Sequence, residues 1–154
     1  MSVEIGKPAP DFTAPTDGDG TVSLKALLGR PVVLYFYPRD DTPGCTKEAC
    51  GFRDALPDFT KLDAEIIGVS KDSAAKHDKF KAKYDLPFPL AADEDHALCE
   101  AYGVWVMKKN YGKEYMGIER ATFLIDKDGV VRNVWRKVKV NGHVEAVLEA
   151  ARGL

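Results

Sequence analysis

Cys45 and Cys50 lie five positions apart, directly after Pro38-Arg39-Asp40-Asp41-Thr42-Pro43-Gly44. Two thiols on one short segment can pass an oxidation from one to the other. The thiolate is the reactive form, and an unperturbed thiol with a pKa near 8.5 is only about 3% thiolate at pH 7. A helix start favours an anion, because unpaired backbone N–H groups and the dipole point at it. The run from Pro43 predicts a helix over about 43–54, with Cys45 in its first turn and Pro43 at the first helical position. Thr42 is the natural N-cap; alternatively its hydroxyl turns toward Cys45 and a substrate oxygen.

Cys50 is the second half of that chemistry. In an ideal helix, residues five apart are turned about 140° from each other, with Cα atoms roughly 8–9 Å apart. A disulfide needs Cα atoms within about 7 Å. The pair can therefore close only if the helix unwinds between them. Gly51 and the limit set by Pro57 make a short helix, which is marginal without packing. This reads Cys45 as the attacking thiol, oxidised first to sulfenic acid, and Cys50 as the thiol that condenses with it. Oxidation should then loosen the backbone around 45–51. Two plainer roles compete: a pair of small buried apolar residues, or a zinc site. The absence of any C-x2-C spacing speaks against zinc. Cys99, in His96-Ala97-Leu98-Cys99, reads as a buried apolar residue, and His77, His96 and His143 as surface or packing residues.

The elements that must position these thiols alternate between strand and helix. Thr21-Val22-Ser23 can pair with the extended stretch before Asp17-Gly18-Asp19-Gly20, giving an N-terminal hairpin. Leu24, Leu27 and Leu28 suggest one helical turn closed by Gly29. Val32-Val33-Leu34-Tyr35-Phe36-Tyr37 is a continuous apolar run, as in a central strand buried on both faces. Pro57 should open a second short helix. Ile66 to Ser70 is the next strand. Ser73 can cap a helix through Tyr84, with Phe80 and Tyr84 on its inner side. Residues 86–92 look extended, and Asp95 can cap a short helix over 96–102. Val104 to Gly117 has no clear pattern. Ala121 to Ile125 reads as a buried strand, Asp126-Lys127-Asp128-Gly129 as a turn into a strand over 130–138, and 143–151 as an amphipathic helix. The pattern predicts an α/β fold with a mixed central sheet and helices on both faces. Its βα turn after Tyr37 would lie at the carboxyl end of a central strand, where sites form in open α/β sheets.

At 154 residues the chain fits one domain over 1–154. Its net charge is -2, with Lys and Arg scattered among Asp and Glu, so no nucleic-acid footprint is expected. Lys108, Lys109 and Lys113, with Tyr111 and Tyr115, read as a solvated loop. The start, Met1-Ser2-Val3-Glu4-Ile5, lacks an apolar signal core, and no apolar run approaches the roughly 20 residues of a membrane span. A cytoplasmic, reducing location is expected, where structural disulfides are rare.

The tract Pro38-x-x-x-Thr42-x-x-Cys45 resembles the peroxidatic-cysteine motif of the peroxiredoxins. The wider run Phe36 to Glu48 is similar to their bacterioferritin-comigratory-protein, or Q-type, branch. The likeness extends from Gly6-Lys7-Pro8 through Gly68-Val69-Ser70 and Glu119-Arg120-Ala121-Thr122 to Asn141-Gly142-His143. It implies a thioredoxin-like fold and thiol-dependent reduction of hydroperoxides. It assigns Cys45 as peroxidatic and Cys50 as resolving, joined in an intramolecular disulfide. It gives Thr42 a hydrogen bond to the peroxide, Pro38 a shielding role, and Arg120 the task of steadying thiolate and peroxide. Glu48 would orient an arginine. The resemblance implies no metal, haem or flavin cofactor, recycling by thioredoxin or a similar dithiol, and a monomer. Two other readings are a thiol-disulfide oxidoreductase on the same fold and a redox-regulated chaperone. The first usually carries C-x-x-C and a proline before the strand at Thr122, where this chain has Ala121.

Overall fold

A computed structural model describes residues 3–154. Strand β1 (Thr13–Pro15) and strand β2 (Thr21–Ser23) pair antiparallel, with one 3-10 turn (Asp17–Asp19) between them. Helix α1 (Leu24–Leu27) follows at once, its start capped by Ser23 Oγ, which accepts from the Ala26 amide. Strand β3 (Val32–Phe36) leads into helix α2 (Pro43–Lys61). Strand β4 (Glu65–Ser70), helix α3 (Ala74–Tyr84), strand β5 (Leu90–Ala92) and helix α4 (Ala97–Ala101) come next. Strand β6 (Trp105–Asn110) and strand β7 (Lys113–Ile118) form a separate hairpin. Strand β8 (Ala121–Ile125), strand β9 (Val131–Trp135) and helix α5 (His143–Arg152) complete the order.

The main sheet runs β5-β4-β3-β8-β9. β3 lies at its centre, parallel to β4 and antiparallel to β8. The continuous apolar run is explained by burial on both sides. Val32, Leu34 and Phe36 face one apolar cluster, with Leu24, Leu98, Cys99 and Tyr102. Val33, Tyr35 and Tyr37 face the other, with Phe52, Phe59, Phe80, Val147 and Leu148. So α1, α4 and the N-terminal hairpin cover one face, and α2, α3 and α5 cover the other. The mixed α/β layout with helices on both faces and an N-terminal hairpin is as expected.

Several local expectations need correction. Pro57 does not divide two helices: it lies inside the single helix α2. An internal proline costs about 3 kcal/mol. Phe52 and Phe59 sit seven residues apart, on one side of α2, both fully buried with ring centroids 6.0 Å apart. Burying each is worth about 1.5–3 kcal/mol, which offsets the proline. The stretch 104–117, without a clear pattern in sequence, holds β6 and β7, so the Lys108–Tyr115 region is a paired hairpin and not a loop. Its residues are mostly exposed, which leaves little apolar alternation to read. The short helix α4 is held less by Asp95 than by Asp93, whose carboxylate accepts the Leu98 and Cys99 amides at 3.0 and 2.8 Å.

Gly68 of β4 pairs with Tyr35 of β3, and an added Cβ there would come within 2.9 Å of the Tyr35 ring and 3.0 Å of Leu90. Tyr35 cannot yield, since it is fully buried and stacked on Phe52 and Tyr37. Gly68→Ala should therefore lower stability by about 1–3 kcal/mol. The check is a lower urea midpoint with an unchanged slope.

Candidate active site

The site is built where β3 hands over to α2. Antiparallel pairing puts Ala121 opposite Phe36, so Arg120, one residue before β8, arrives at the carboxyl end of β3. The loop 38–42 lies between, with Pro38 and Thr42 half-buried. Helix α2 starts with Pro43, whose missing N–H is no loss at a first helical position. Thr46 N donates to Thr42 O at 2.8 Å and opens the helical ladder. Thr42 is the N-cap by position, but its side chain makes no capping bond. Its hydroxyl donates to the Arg39 carbonyl at 3.0 Å, rather than to a helix amide or the sulfur. Neither of the two orientations considered from sequence is the one adopted.

Arg120 joins the site together. One terminal nitrogen of its guanidinium donates to Cys45 Sγ at 3.3 Å, and the other to Glu48 Oε1 at 2.8 Å. Cys45 and Glu48 are three apart on α2 and so project from the same side of the helix. The approach is close at Gly44, where a Cβ would stand 3.2 Å from the Arg120 Nη2. Burial alone would lower the arginine's pKa; Glu48 and Cys45 outweigh that and carry it above its ordinary value. A planar fork with several fixed donors suits such sharing between two acceptors.

Glu48 is fully buried. Burial pushes its carboxyl up to about 7, against the opposing pull of Arg120. Its second oxygen, Oε2, has no hydrogen-bond partner among the described residues. Besides Arg120, His143 of α5 approaches this oxygen, its Nε2 lying 3.9 Å away and 2.7 Å from Thr122 Oγ1. Burial, then Arg120, lowers the His143 pKa to about 4, so the ring is neutral at pH 7. His143 therefore adds no charge to the site at that pH.

Cys45 is 1% exposed and lies in the apolar cluster under α2 and α5, while Cys50 is half-buried on the same helix. All three cysteines are free. Cys99 sits in the opposite cluster, where burial and Asp93 push its thiol up, as suits a core residue. Lys108 on β6 is half-buried, and burial together with Arg120 pushes its ammonium down. The structure thus brings Cys45, Glu48 and Arg120 into contact, keeps Cys50 on the intact helix, and holds Pro38 and Thr42 in the preceding loop. Sequence reasoning missed the buried histidines: His77 and His143 each make hydrogen bonds in the interior. Their partners lie far away in the chain, so no local spacing marks them. Among the described residues no group of three or more His, Cys, Asp and Glu is arranged to hold a metal ion.

Glu48 makes one pH effect measurable. Its folded pKa is raised, so between about 4.5 and 7 the folded chain keeps a proton that the unfolded chain releases. That favours the fold at the acid end and is lost as the pH rises through 7. Glu48→Gln removes this dependence. The stability of the variant relative to the parent should rise by roughly 2–3 kcal/mol between pH 4.5 and 7. Paired urea titrations check this, and parallel curves across that range would refute it.

Comparisons with known proteins identify the family. A family model described as the AhpC/TSA family matches residues 5–134. A protein named peroxiredoxin Bcp from Bacillus subtilis is 56% identical over 154 residues, covering 100% of this chain and 98% of its own. A bacterioferritin comigratory protein of Xanthomonas campestris has a solved structure that superposes with a TM-score of 0.91 at 45% identity. It covers 97% of this chain and 98% of that one, and its description concerns alkyl peroxide reduction activity. A cysteine-to-serine mutant of a peroxiredoxin Q from Xylella fastidiosa superposes with a TM-score of 0.94 at 38% identity, covering 99% and 98%. The chain therefore belongs to the AhpC/TSA family, and within it to the peroxiredoxins of the bacterioferritin-comigratory, or Q, branch.

Proposed function

We propose that this peroxiredoxin reduces hydroperoxides at Cys45 and resolves the product with Cys50. The observation that carries the reading is the Arg120 guanidinium, which touches Cys45 Sγ at 3.3 Å and Glu48 at 2.8 Å. A fixed positive charge there stabilises the sulfur anion and the negative charge that builds on the breaking O–O bond. The Cys45 thiolate attacks the terminal peroxide oxygen. An S–O bond forms as the O–O bond breaks; the sulfur is oxidised, and the other oxygen leaves as alkoxide or hydroxide and takes up a proton. The sulfenic acid then reacts with the Cys50 thiol, forming the S–S bond and releasing water. An external dithiol, such as thioredoxin, returns both sulfurs to thiols by exchange. Pro38 shields the sulfur from water, and a rotation of the Thr42 hydroxyl away from Arg39 would let it serve the bound peroxide. This reading also takes the chain as a monomer in a reducing cytoplasm.

At nineteen residues α2 is longer than the helix expected over 43–54. A long, packed helix does not melt as a whole, so only its first turns can open. Gly51 weakens them, at about 1 kcal/mol relative to alanine. A Cβ there would stand 3.0 Å from Val144 Cγ2 on α5, closer than ordinary packing.

The central test is mass spectrometry after one equivalent of hydrogen peroxide. The parent should show a Cys45–Cys50 link, Cys50→Ser a trapped sulfenic acid on Cys45, and Cys45→Ser no reaction. Full peroxide consumption by Cys45→Ser would end the reading, as would reduction of insulin disulfides without any peroxide turnover. The role of the guanidinium has its own test in Gly44→Ala. Its Cβ, 3.2 Å from Arg120 Nη2, pushes the guanidinium back by a few tenths of an ångström and leaves the Cys45 and Glu48 side chains themselves unaltered, and it should slow the peroxide step by roughly threefold to tenfold. Stopped-flow kinetics on the reduced chain measure it; a rate equal to the parent's would show that the close approach is dispensable.

A further inference from the structure

Helix α3 grips the loop that leads to Cys45. Lys83 Nζ and Tyr84 Oη each donate to the Asp41 carboxylate at 2.9 Å. Asp41 itself is left-handed, with φ 57°, a turn conformation that aspartate adopts more readily than most residues. Asp40 is fixed more deeply. Tyr37 Oη donates to its Oδ1 at 2.6 Å, and its own amide donates to Asp72 Oδ2 at 2.8 Å. Asp72 Oδ2 also accepts from Ser70 Oγ at 2.7 Å. The remaining oxygen, Asp40 Oδ2, lies 2.6 Å from His77 Nδ1 on α3.

His77 is fully buried, and both its ring nitrogens face acceptors. Nδ1 meets the Asp40 carboxylate, and Nε2 meets the Ala91 carbonyl oxygen of β5 at 3.0 Å. A carbonyl oxygen can only accept, and so can an ionised carboxylate. A neutral imidazole has one N–H and one lone pair, so it would leave a lone pair facing an acceptor in the interior. Opposite an ionised carboxylate, only the imidazolium satisfies both contacts.

We propose that His77 is a positioning residue for the reaction at Cys45: as a buried imidazolium it locks Asp40 in place, and so holds Pro38 to Thr42 beside the sulfur while the first turns of α2 unwind toward Cys50. The proposal rests on the reading of Cys45 given above. The far end of the moving segment is held by the same helix, since Arg53 Nη1 on α2 donates to the Tyr84 carbonyl at 2.7 Å. Helix α3 thus brackets Cys45 to Phe52 on both sides.

The charged and titratable groups around His77 act together. Asp40 faces it from the loop, Tyr37 from the end of β3 and Asp72 from the turn after β4. Lys76 of α3 reaches Asp72 at 4.0 Å, and β5 offers only the Ala91 carbonyl. Burial alone would lower the His77 pKa; Asp40, then Ala91 and Asp72, outweigh it and raise the value above its ordinary level. A histidine raised in the fold contributes fully below about pH 6.5, and that contribution is lost as the pH climbs through the higher folded value.

Nitrogen-15 NMR of the reduced, unmodified chain tests the proton count directly. Both His77 ring nitrogens should be protonated at pH 7, and a neutral tautomer there overturns the proposal. In His77→Gln, the single-turnover reaction of Cys45 with hydrogen peroxide should be roughly tenfold slower than in the parent at pH 6.5. The gap should narrow as the pH approaches 9, while the closing rate of the Cys45–Cys50 disulfide stays the same. A gap that does not change with pH, or no gap at all, overturns the proposal. Should that variant not fold, hydrogen exchange on the unmodified chain decides. Oxidation should raise exchange over 45–51 and leave 38–42 and the residues after 53 protected; a rise within 38–42 overturns the proposal. Failure of the Cys45 reading would appear instead as peroxide turnover by Cys45→Ser, without any effect on the His77 proton count.

Discussion

One guanidinium shared between a carboxylate and a sulfur governs this molecule. Arg120 stands at the carboxyl end of the central strand, with Glu48 on one nitrogen and Cys45 on another. Removing either acceptor would leave the cation short of a hydrogen bond in a setting that water reaches poorly. Truncating a partner of a buried ion pair is costly for that reason. Much of the surrounding structure serves to make the sharing possible. The antiparallel register of β3 and β8 delivers the arginine, Gly44 leaves room for it, and the helical spacing of Cys45 and Glu48 aligns both acceptors on one side.

The sulfur combines two conditions that usually exclude each other. It is almost wholly buried among Tyr35, Phe52 and Val147, yet it touches a cation. The carboxyl of Glu48, titrating near neutrality, means that the total charge around Arg120 is not fixed. Around pH 7 the arginine faces Glu48 sometimes as an anion and sometimes as a neutral acid.

How much of this was legible in the sequence follows from the distance over which each feature is encoded. The apolar run of β3, the loop after it and the helix start at Pro43 are local patterns, and they read correctly. Cys45 and Cys50 share one helix, so their separation could be worked out from helix geometry alone. Arg120 is different: it reaches Cys45 across 75 residues, and only likeness to a family singled it out. The His77–Asp40 and His143–Thr122 pairs span 37 and 21 residues, and nothing near either histidine signals a partner. Pro57 misled because a local rule, proline as a helix breaker, lost to the burial of Phe52 and Phe59 on either side of it. The β6–β7 hairpin was hidden because its strands are held by pairing to each other and bury few side chains.

The same proline gives α2 an internal seam. Pro57 has no N–H, so the carbonyl of Arg53 lacks the donor that the regular ladder would supply. Helix–coil cooperativity passes from residue to residue through those bonds. At Arg53 that transmission is weakened. The upper stretch with the two thiols and the lower stretch anchored by Phe59 are thus two coupled but separable blocks. The fraying that the proposed Cys45–Cys50 closure requires would meet this seam as a firebreak before it reached Phe59.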